Sequence, residues 1–287
     1  MWITDLVIRS IPDAAYLKYM YRKVMGKKLD LENPRTFNEK LQWLKLHDRR
    51  PEYTKMVDKY EVRQYIKEKI GEEYLIPLVG GPWDKFEDID FSKLPEQFVL
   101  KCTHDSGSVE ICKDKGNFDI PLVRNRFNRA LKGNFFYGGR EWPYKHVKPR
   151  IIAERYISDT KGGEIVDYKL HCFNGEVKLI LVCVDRTCEE KKVFYGSQWN
   201  KLPVKRPNMS SDVDISRPRM LEHMIRIAQI FSAQIPFLRV DLYETSGRLY
   251  FGELTFFPAG GFEPFEPEEW DAIMGEWLRL PELTSGK

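Results

Sequence analysis

The chain has 287 residues, 42% of them hydrophobic and 31% charged, which reads as an ordinary soluble globular protein able to bury a sizeable core. A formal net charge of +3 is too small to point to nucleic acid. No run reaches the ~18 consecutive apolar residues that a membrane span needs.

The first run, Met1 to Arg9, is apolar but carries Asp5 and lacks a small-residue cleavage site, so a signal peptide is not expected. It reads as a segment packed on the domain, or as an amphipathic helix resting on a membrane surface or a partner. Residues 13 to 75 read as helical, interrupted by a loop from Leu29 to Arg35. Thr36 is an N-cap with Glu39 three residues on, a capping box, and Phe37, Leu41, Trp43 and Leu44 follow at helical spacing. Lys55 to Gly71 is expected as one amphipathic helix ended by Gly71. Pro77, Gly80-Gly-Pro82 and Pro95 mark Leu75 to Pro95 as strand ends and loop.

From Gln97 the character changes to short strands. Gln97 to Cys102 and Val109 to Cys112 flank the loop Thr103-His-Asp-Ser-Gly-Ser108, as in a hairpin. Ile120 to Leu131 reads as a helix, and Arg150 to Ile157 as a strand. Three apolar runs follow, Glu164 to Phe173, Glu176 to Asp185 and Lys192 to Tyr195, with a hairpin signal at Asn174-Gly175. Arg217 to Gln234 is an apolar-periodic helix, and Trp270 to Leu280 a closing one. Hairpins dominate and helices are segregated, which predicts an α+β architecture with antiparallel sheets. The cysteines, Cys102, Cys112, Cys172, Cys183 and Cys188, contain no Cys-x-x-Cys pair and are expected as buried free thiols of a reducing cytoplasm.

The most informative feature is a second hairpin, Phe237 to Tyr243 and Arg248 to Thr255. Alternation places Arg239, Asp241 and Tyr243 on one face and buries Leu238, Val240 and Leu242 on the other; it likewise groups Phe251, Glu253 and Thr255. Two carboxylates on neighbouring strands, Asp241 and Glu253, are the usual protein share of a magnesium site completed by phosphate oxygens and water. The turn Phe257-Pro-Ala-Gly-Gly261 is expected to present open backbone to a substrate. Lys101 and Lys169 lie within apolar strands, where an ammonium needs a partner; phosphate oxygens are one, and water at a strand edge is the other. Ser106-Gly-Ser108 after Lys101 offers backbone N–H groups and hydroxyls to a phosphate.

The order is a strand lysine, a Gly/Ser hairpin, Ala153-Glu-Arg-Tyr-Ile157, Asp167-Tyr-Lys169, Arg239-Val-Asp-Leu-Tyr243, then Gly252-Glu-Leu-Thr255 and Pro258-Ala-Gly-Gly261. In this order the chain resembles the ATP-grasp ligases, and most closely the TupA-like branch associated with bacterial polysaccharide biosynthesis. Phe37-Asn-Glu-Lys-Leu-Gln-Trp43, Asp58-Lys-Tyr-Glu-Val-Arg63, Leu94 to Lys101 and His104-Asp-Ser-Gly107 extend the likeness, which spans residues 35 to 270. The resemblance implies an ATP-grasp fold, two α+β subdomains with antiparallel sheets gripping ATP. These would be residues 96–153 and 154–287, after a helical N-terminal region with connecting loops over 1–95.

It also implies residue roles. Lys101 would contact the α/β-phosphates of ATP and Lys169 would be the second nucleotide lysine. Ser106, Gly107 and Ser108 would form a flap over the phosphates. Glu154, Tyr156 and Ile157 would form the segment at the adenine. Asp241 and Glu253 would hold Mg2+, and Arg239 would meet the γ-phosphate or an acyl phosphate formed from it. Thr255 stands where many relatives place Asn, which leaves one metal ion or two as open alternatives. Arg186 would bind phosphate or the acidic substrate, or form a surface ion pair. His104 and His171 are candidates to move a proton or simply to hydrogen-bond.

The implied reaction is attack of a substrate carboxylate on ATP, then attack of an amine on the acyl phosphate, giving an amide. A uronic acid of a capsule or surface polysaccharide is the expected acid, and an amino acid or simple amine its partner. No nucleic acid is expected as a partner. The expected location is the cytoplasm, with the inner face of the membrane and the polysaccharide machinery as the associated alternative. Aromatic and basic residues interleaved from Lys132 to Arg150 suit either a glycan or internal packing. Two other readings stay open: a glycosyltransferase of the same pathway, whose metal motif would be Asp212-Val-Asp214, and a non-catalytic scaffold.

Overall fold

The computed structural model describes residues 8–158, 165–184, 191–207, 209 and 213–282. Arg186, Cys188, Asp212 and the run Met1–Val7 therefore lie outside the described residues. The helices are α1 (Asp13–Met25), α2 (Phe37–His47), α3 (Glu52–Val57), α4 (Val62–Lys69), α5 (Ile120–Ala130), α6 (Phe136–Gly139), α7 (Leu221–Ser232) and α8 (Glu269–Trp277). The strands are β1 (Leu78–Trp83), β2 (Phe98–Cys102), β3 (Val109–Cys112), β4 (Ile151–Arg155), β5 (Val166–Phe173), β6 (Glu176–Val184), β7 (Lys191–Gly196), β8 (Phe237–Thr245) and β9 (Arg248–Thr255). They form two compact units, one of Arg50–Lys161 and one of Met1–Arg49 with Gly162–Lys287.

The first unit holds an antiparallel sheet in the order β1-β4-β2-β3. Phe98, Leu100 and Cys102 alternate onto one face and are buried with Ile151, Ala153, and Val123 and Phe127 of α5. The other face carries Val99, Lys101, Ile152 and Glu154, which the β2–β4 register sets side by side. Residues 50–95 were expected with the N-terminal helices, because their helical pattern runs on from α2. They fold instead with this sheet, since β1 pairs with β4 as its edge strand, where Pro82 is tolerated. A division at 153/154 would cut through β4. The single helix expected from Lys55 to Gly71 is two, α3 and α4. The break is Asp58, extended at φ −72°, ψ 114°, whose carboxylate accepts the N–H groups of Tyr60 and Glu61.

The second unit holds the antiparallel sheet β7-β6-β5-β8-β9. One face, with Leu170, Cys172, Leu238, Val240 and Leu242, is buried beneath Met224, Ile227, Ala228 and Phe231 of α7. At one end of the opposite face, Phe173 and Phe237 receive Phe37 of α2, with ring centroids 5.6 Å and 4.9 Å apart. Thr36 caps α2 in the expected box with Glu39. Gly275 of α8 lies so close that a Cβ there would meet the Arg35 carbonyl oxygen at 2.1 Å.

The carboxylate hairpin forms in the expected place with one change. Asp241 pairs with Glu253 but Leu242 pairs with Phe251, so Gly252 is bulged out of the ladder. Phe251 consequently leaves the carboxylate face and packs its ring on Phe231 of α7. A side chain at 252 would come within 3.0 Å of the Asp241 carbonyl oxygen, which is why glycine occupies the bulge.

Candidate functional site

Strands β5, β8 and β9 lie side by side, and their register sets Lys169, Asp241 and Glu253 in one row across the sheet. The next row is His171, Arg239 and Thr255. Alternation keeps all six on the face opposite α7.

Ion pairs knit the rows together. Lys169 Nζ lies 2.6 Å from Asp167 Oδ2 and 2.7 Å from Asp241 Oδ2. Arg239 donates from Nε to Asp241 Oδ1 and from Nη2 to Asp241 Oδ2, both at 2.7 Å, and from Nη2 to Glu253 Oε1 at 2.9 Å. Thr255 Oγ1 donates to the same Glu253 oxygen at 3.4 Å. Asp167 and Asp241 are buried, whereas the Glu253 side chain is 36% exposed and is the open end of the row.

Burial by itself would raise the pKa of Asp241. The charges of Arg239 and Lys169, and their hydrogen bonds, outweigh it and hold the carboxyl well below the usual range, at about 2. The same contacts, against burial, push Lys169 and Arg239 above their ordinary values. His171 is held to about 3, first by burial and then by the charge of Arg239. It is therefore neutral, and its Nδ1 lies 3.0 Å from the Lys169 carbonyl oxygen. That contact makes Nδ1 the protonated nitrogen and leaves Nε2 as an acceptor.

On the four-stranded sheet, Lys101 Nζ meets Glu154 Oε2 at 2.6 Å, and Arg63 Nη1 meets Glu154 Oε1 at 3.1 Å. Glu154 is thus clasped by two cations. Gly107, at φ +105°, and Ser106 form the exposed tip of the β2–β3 hairpin. The loop is held at Asp105, whose carbonyl accepts from Lys59 Nζ and whose carboxylate accepts from Ser108 Oγ, and at the tip itself, where Arg126 Nη2 donates to the Gly107 carbonyl at 2.7 Å. His104 sits below the tip, buried, with Nε2 3.0 Å from the Ala130 carbonyl oxygen. Tyr156 and Ile157 follow β4 directly and are half-buried.

The structure thus brings together Lys169, Arg239, Asp241 and Glu253 on one sheet, and Lys101 with Glu154 on the other. Arg186 is outside the described residues. The Gly260–Gly261 turn is not open on all sides as expected; its carbonyls are taken by Gln42 and Lys45 of α2. The aromatic and basic stretch from 132 to 150 is packed inside at some positions, while Lys132 and Lys148 are exposed. Phe136, Arg140 and Tyr144 are buried, with the Arg140 guanidinium 5.5 Å from the Phe136 ring centroid. Two partners escaped the sequence reading of the site, Asp167 as the second anchor of Lys169 and Arg63 as the second anchor of Glu154. The first was signalled by its i, i+2 spacing from Lys169, the second only by a motif without a stated role.

Could this face hold magnesium? Asp241 and Glu253 supply the hard oxygen donors that the ion prefers, and three carboxylates against two cations leave one formal negative charge in the cluster. Among the described residues no three His, Cys, Asp or Glu side chains form a closed metal cage. A pair of carboxylates with the remaining positions left to phosphate and water is the arrangement magnesium favours, so these residues fit the ion.

A family profile described as TupA-like ATPgrasp matches residues 39–279. No curated protein matched the sequence. Among solved structures, a D-alanine–D-alanine ligase from Bacillus anthracis complexed with ATP is 17% identical, with a TM-score of 0.39 over 70% of this chain and 55% of that one. The ATP-grasp ligase PsnB, complexed with minimal precursor, Mg and ADP, is 12% identical, with a TM-score of 0.37 over 76% of this chain and 57% of its own. An N5-carboxyaminoimidazole ribonucleotide synthetase from Thermus thermophilus is 9% identical, with a TM-score of 0.37 over 76% and 47%. The chain spans about half the length of these proteins, and likenesses so distant carry no argument about activity. The profile, by contrast, takes in most of the sequence: the chain belongs to the TupA-like ATPgrasp family, and its α+β architecture of two antiparallel sheets is an ATP-grasp fold.

Proposed function

We propose that the protein is an ATP-dependent ligase that joins a carboxylate to an amine through an acyl phosphate, releasing ADP and phosphate. The acid is a uronic acid of a bacterial capsule or surface polysaccharide, or its sugar precursor, and the amine an amino acid or simple amine. The observation that carries this reading is the row Lys169–Asp241–Glu253 with Arg239 beside it, two cations and two acids on one face in a chain of this family.

On the five-stranded sheet, Lys169 and Arg239 bear the phosphoryl charge, and Asp241, then Asp167, keep Lys169 protonated and aimed. Asp241 and Glu253 are the residues that would hold magnesium, which when bound supplies charge stabilisation to the transferring phosphoryl group. On the four-stranded sheet, Lys101 is assigned to the α/β-phosphates, Ser106, Gly107 and Ser108 to a phosphate flap, and Glu154, Tyr156 and Ile157 to the adenine. Arg186 is assigned to the acid or its phosphate. An acyl phosphate must be kept from water, and the exposed hairpin tip is the segment suited to exclude it. We place this activity in the cytoplasm, near the polysaccharide machinery at the inner face of the membrane. No helix among the described residues is long and apolar enough to cross a membrane.

The deciding experiment supplies purified protein with ATP, magnesium, a uronic acid and a panel of amines and follows ADP. Release that requires both acid and amine supports ligation. Sugar transfer from a nucleotide sugar without ATP use would replace this reading with a glycosyltransferase.

A further inference from the structure

Helix α2 carries Asn38, Gln42 and Lys45 at a spacing of four and three, which stacks them on one side. All three have no exposed surface. Polar groups so buried must be satisfied by definite partners. Asn38 Nδ2 donates to the Glu263 carbonyl at 3.2 Å. Gln42 Nε2 donates to the carbonyls of Gly260 and Gly261 at 3.1 Å and 2.8 Å, while its Oε1 accepts from Lys45 Nζ at 2.8 Å. Lys45 Nζ also donates to the Gly260 carbonyl at 2.6 Å and stands 4.4 Å from the centroid of Phe262. From outside the helix, buried Arg206 donates to the Glu263 and Pro264 carbonyls. Four carbonyls within five residues are thus gripped by buried side chains.

This gripped run begins after four residues beyond the end of β9, the strand of Glu253 and Thr255, and Phe256, Phe257 and Pro258 between them are buried. Its conformation is costly: Ala259, Gly260 and Gly261 have φ of +50°, +62° and +64°, three left-handed residues in succession, the first with a Cβ. A Cβ at Gly261 would lie 2.5 Å from Gln42 Nε2 and 3.1 Å from Leu41 Cβ, so turn and helix are fitted to each other. The other end of α2 is anchored by Phe37 on Phe173 and Phe237, on the face that also carries His171 and Arg239.

We propose that Gln42, backed by Lys45, is a positioning residue: it locks the Ala259–Gly261 turn and thereby fixes the end of β9 from which Glu253 and Thr255 project. Only the kinetic consequence rests on the ligase reading.

The test uses the full chain with Gln42→Met, which keeps length but removes both donors, and Gln42→Glu, which keeps the acceptor for Lys45 and turns an oxygen toward the two carbonyls. Amide hydrogen exchange is followed in peptides covering residues 256–263 and, for reference, 166–173. Turnover is measured well below each melting temperature. Exchange in 256–263 should rise about tenfold with 166–173 unchanged, and kcat should fall about tenfold to a hundredfold, with the KM for ATP within about twofold. Equal rises in both peptides would overturn the proposal, as would wild-type exchange, or a local rise with unchanged kcat. Should Gln42→Met fail to fold, Gln42→Glu decides by the same criteria. Should the wild type release no ADP, the ligase reading falls, and the exchange comparison still decides whether Gln42 locks the turn.

Discussion

Arg239 meets Asp241 with two nitrogens, one on each carboxylate oxygen, both at 2.7 Å. The same carboxylate accepts Lys169, so one buried acid holds two cations. Asp241→Asn would leave both facing each other without it. Removing one partner of a buried charge cluster costs about 3–5 kcal/mol, and this loss is expected in urea denaturation at neutral pH. A loss under about 1 kcal/mol would show that Asp167 and Glu253 alone suffice.

His171 gives the fold a specific response to acid. Burial, then Arg239, holds it to about 3 in the folded chain, against about 6.5 when unfolded. The folded pKa is the lower one, so its contribution is complete above pH ~6.5 and is lost as pH falls toward 3, where the unfolded chain binds a proton the folded one refuses. Between pH 6.5 and 4.5 the wild type should lose about 2–3 kcal/mol more than His171→Gln. Parallel stability curves for the two proteins would disprove it.

Gly252 is required by the bulge rather than by a turn. Its would-be Cβ contacts are backbone at 3.0 Å and the Tyr243 ring at 3.1 Å, neither of which yields cheaply. Gly252→Ala should cost about 1–3 kcal/mol of stability in thermal or urea unfolding. An unchanged midpoint would mean that the strand re-registers without penalty.

Magnesium–ATP should raise the melting temperature of the wild type by mass action, corresponding to about 3–4 kcal/mol at a hundred to a thousand times Kd. Lys101→Ala should lose most of that shift. Glu253→Gln should keep its circular dichroism spectrum and release no ADP. Full activity in either variant would remove that residue from the site.

Much of this was legible in the sequence because it depends on alternation and local turn chemistry. Leu238, Val240 and Leu242 buried on one face place Asp241 on the other, and the Thr36–Glu39 box marks the start of α2 without tertiary information. What escaped reading depends on pairing between distant segments. Nothing near Pro82 announces that β1 will pair with β4 and draw residues 50–95 into the first unit. The bulge at Gly252 is a single residue that reverses the face of Phe251, and period-two counting steps over it. Arg63 and Gln42 sit in helices far along the chain from Glu154 and Gly260, so their roles became visible only once the strands were in place.

The alternation of sign through Asp167, Lys169, Asp241, Arg239 and Glu253 also has a thermodynamic meaning. Removing most of the water from Asp167, Lys169, Asp241 and Arg239 and arresting their rotamers happens once, as the chain folds. On the proposed ligase reading, an incoming ion would therefore meet charges already held in place, with Glu253 the member of the row still in contact with solvent.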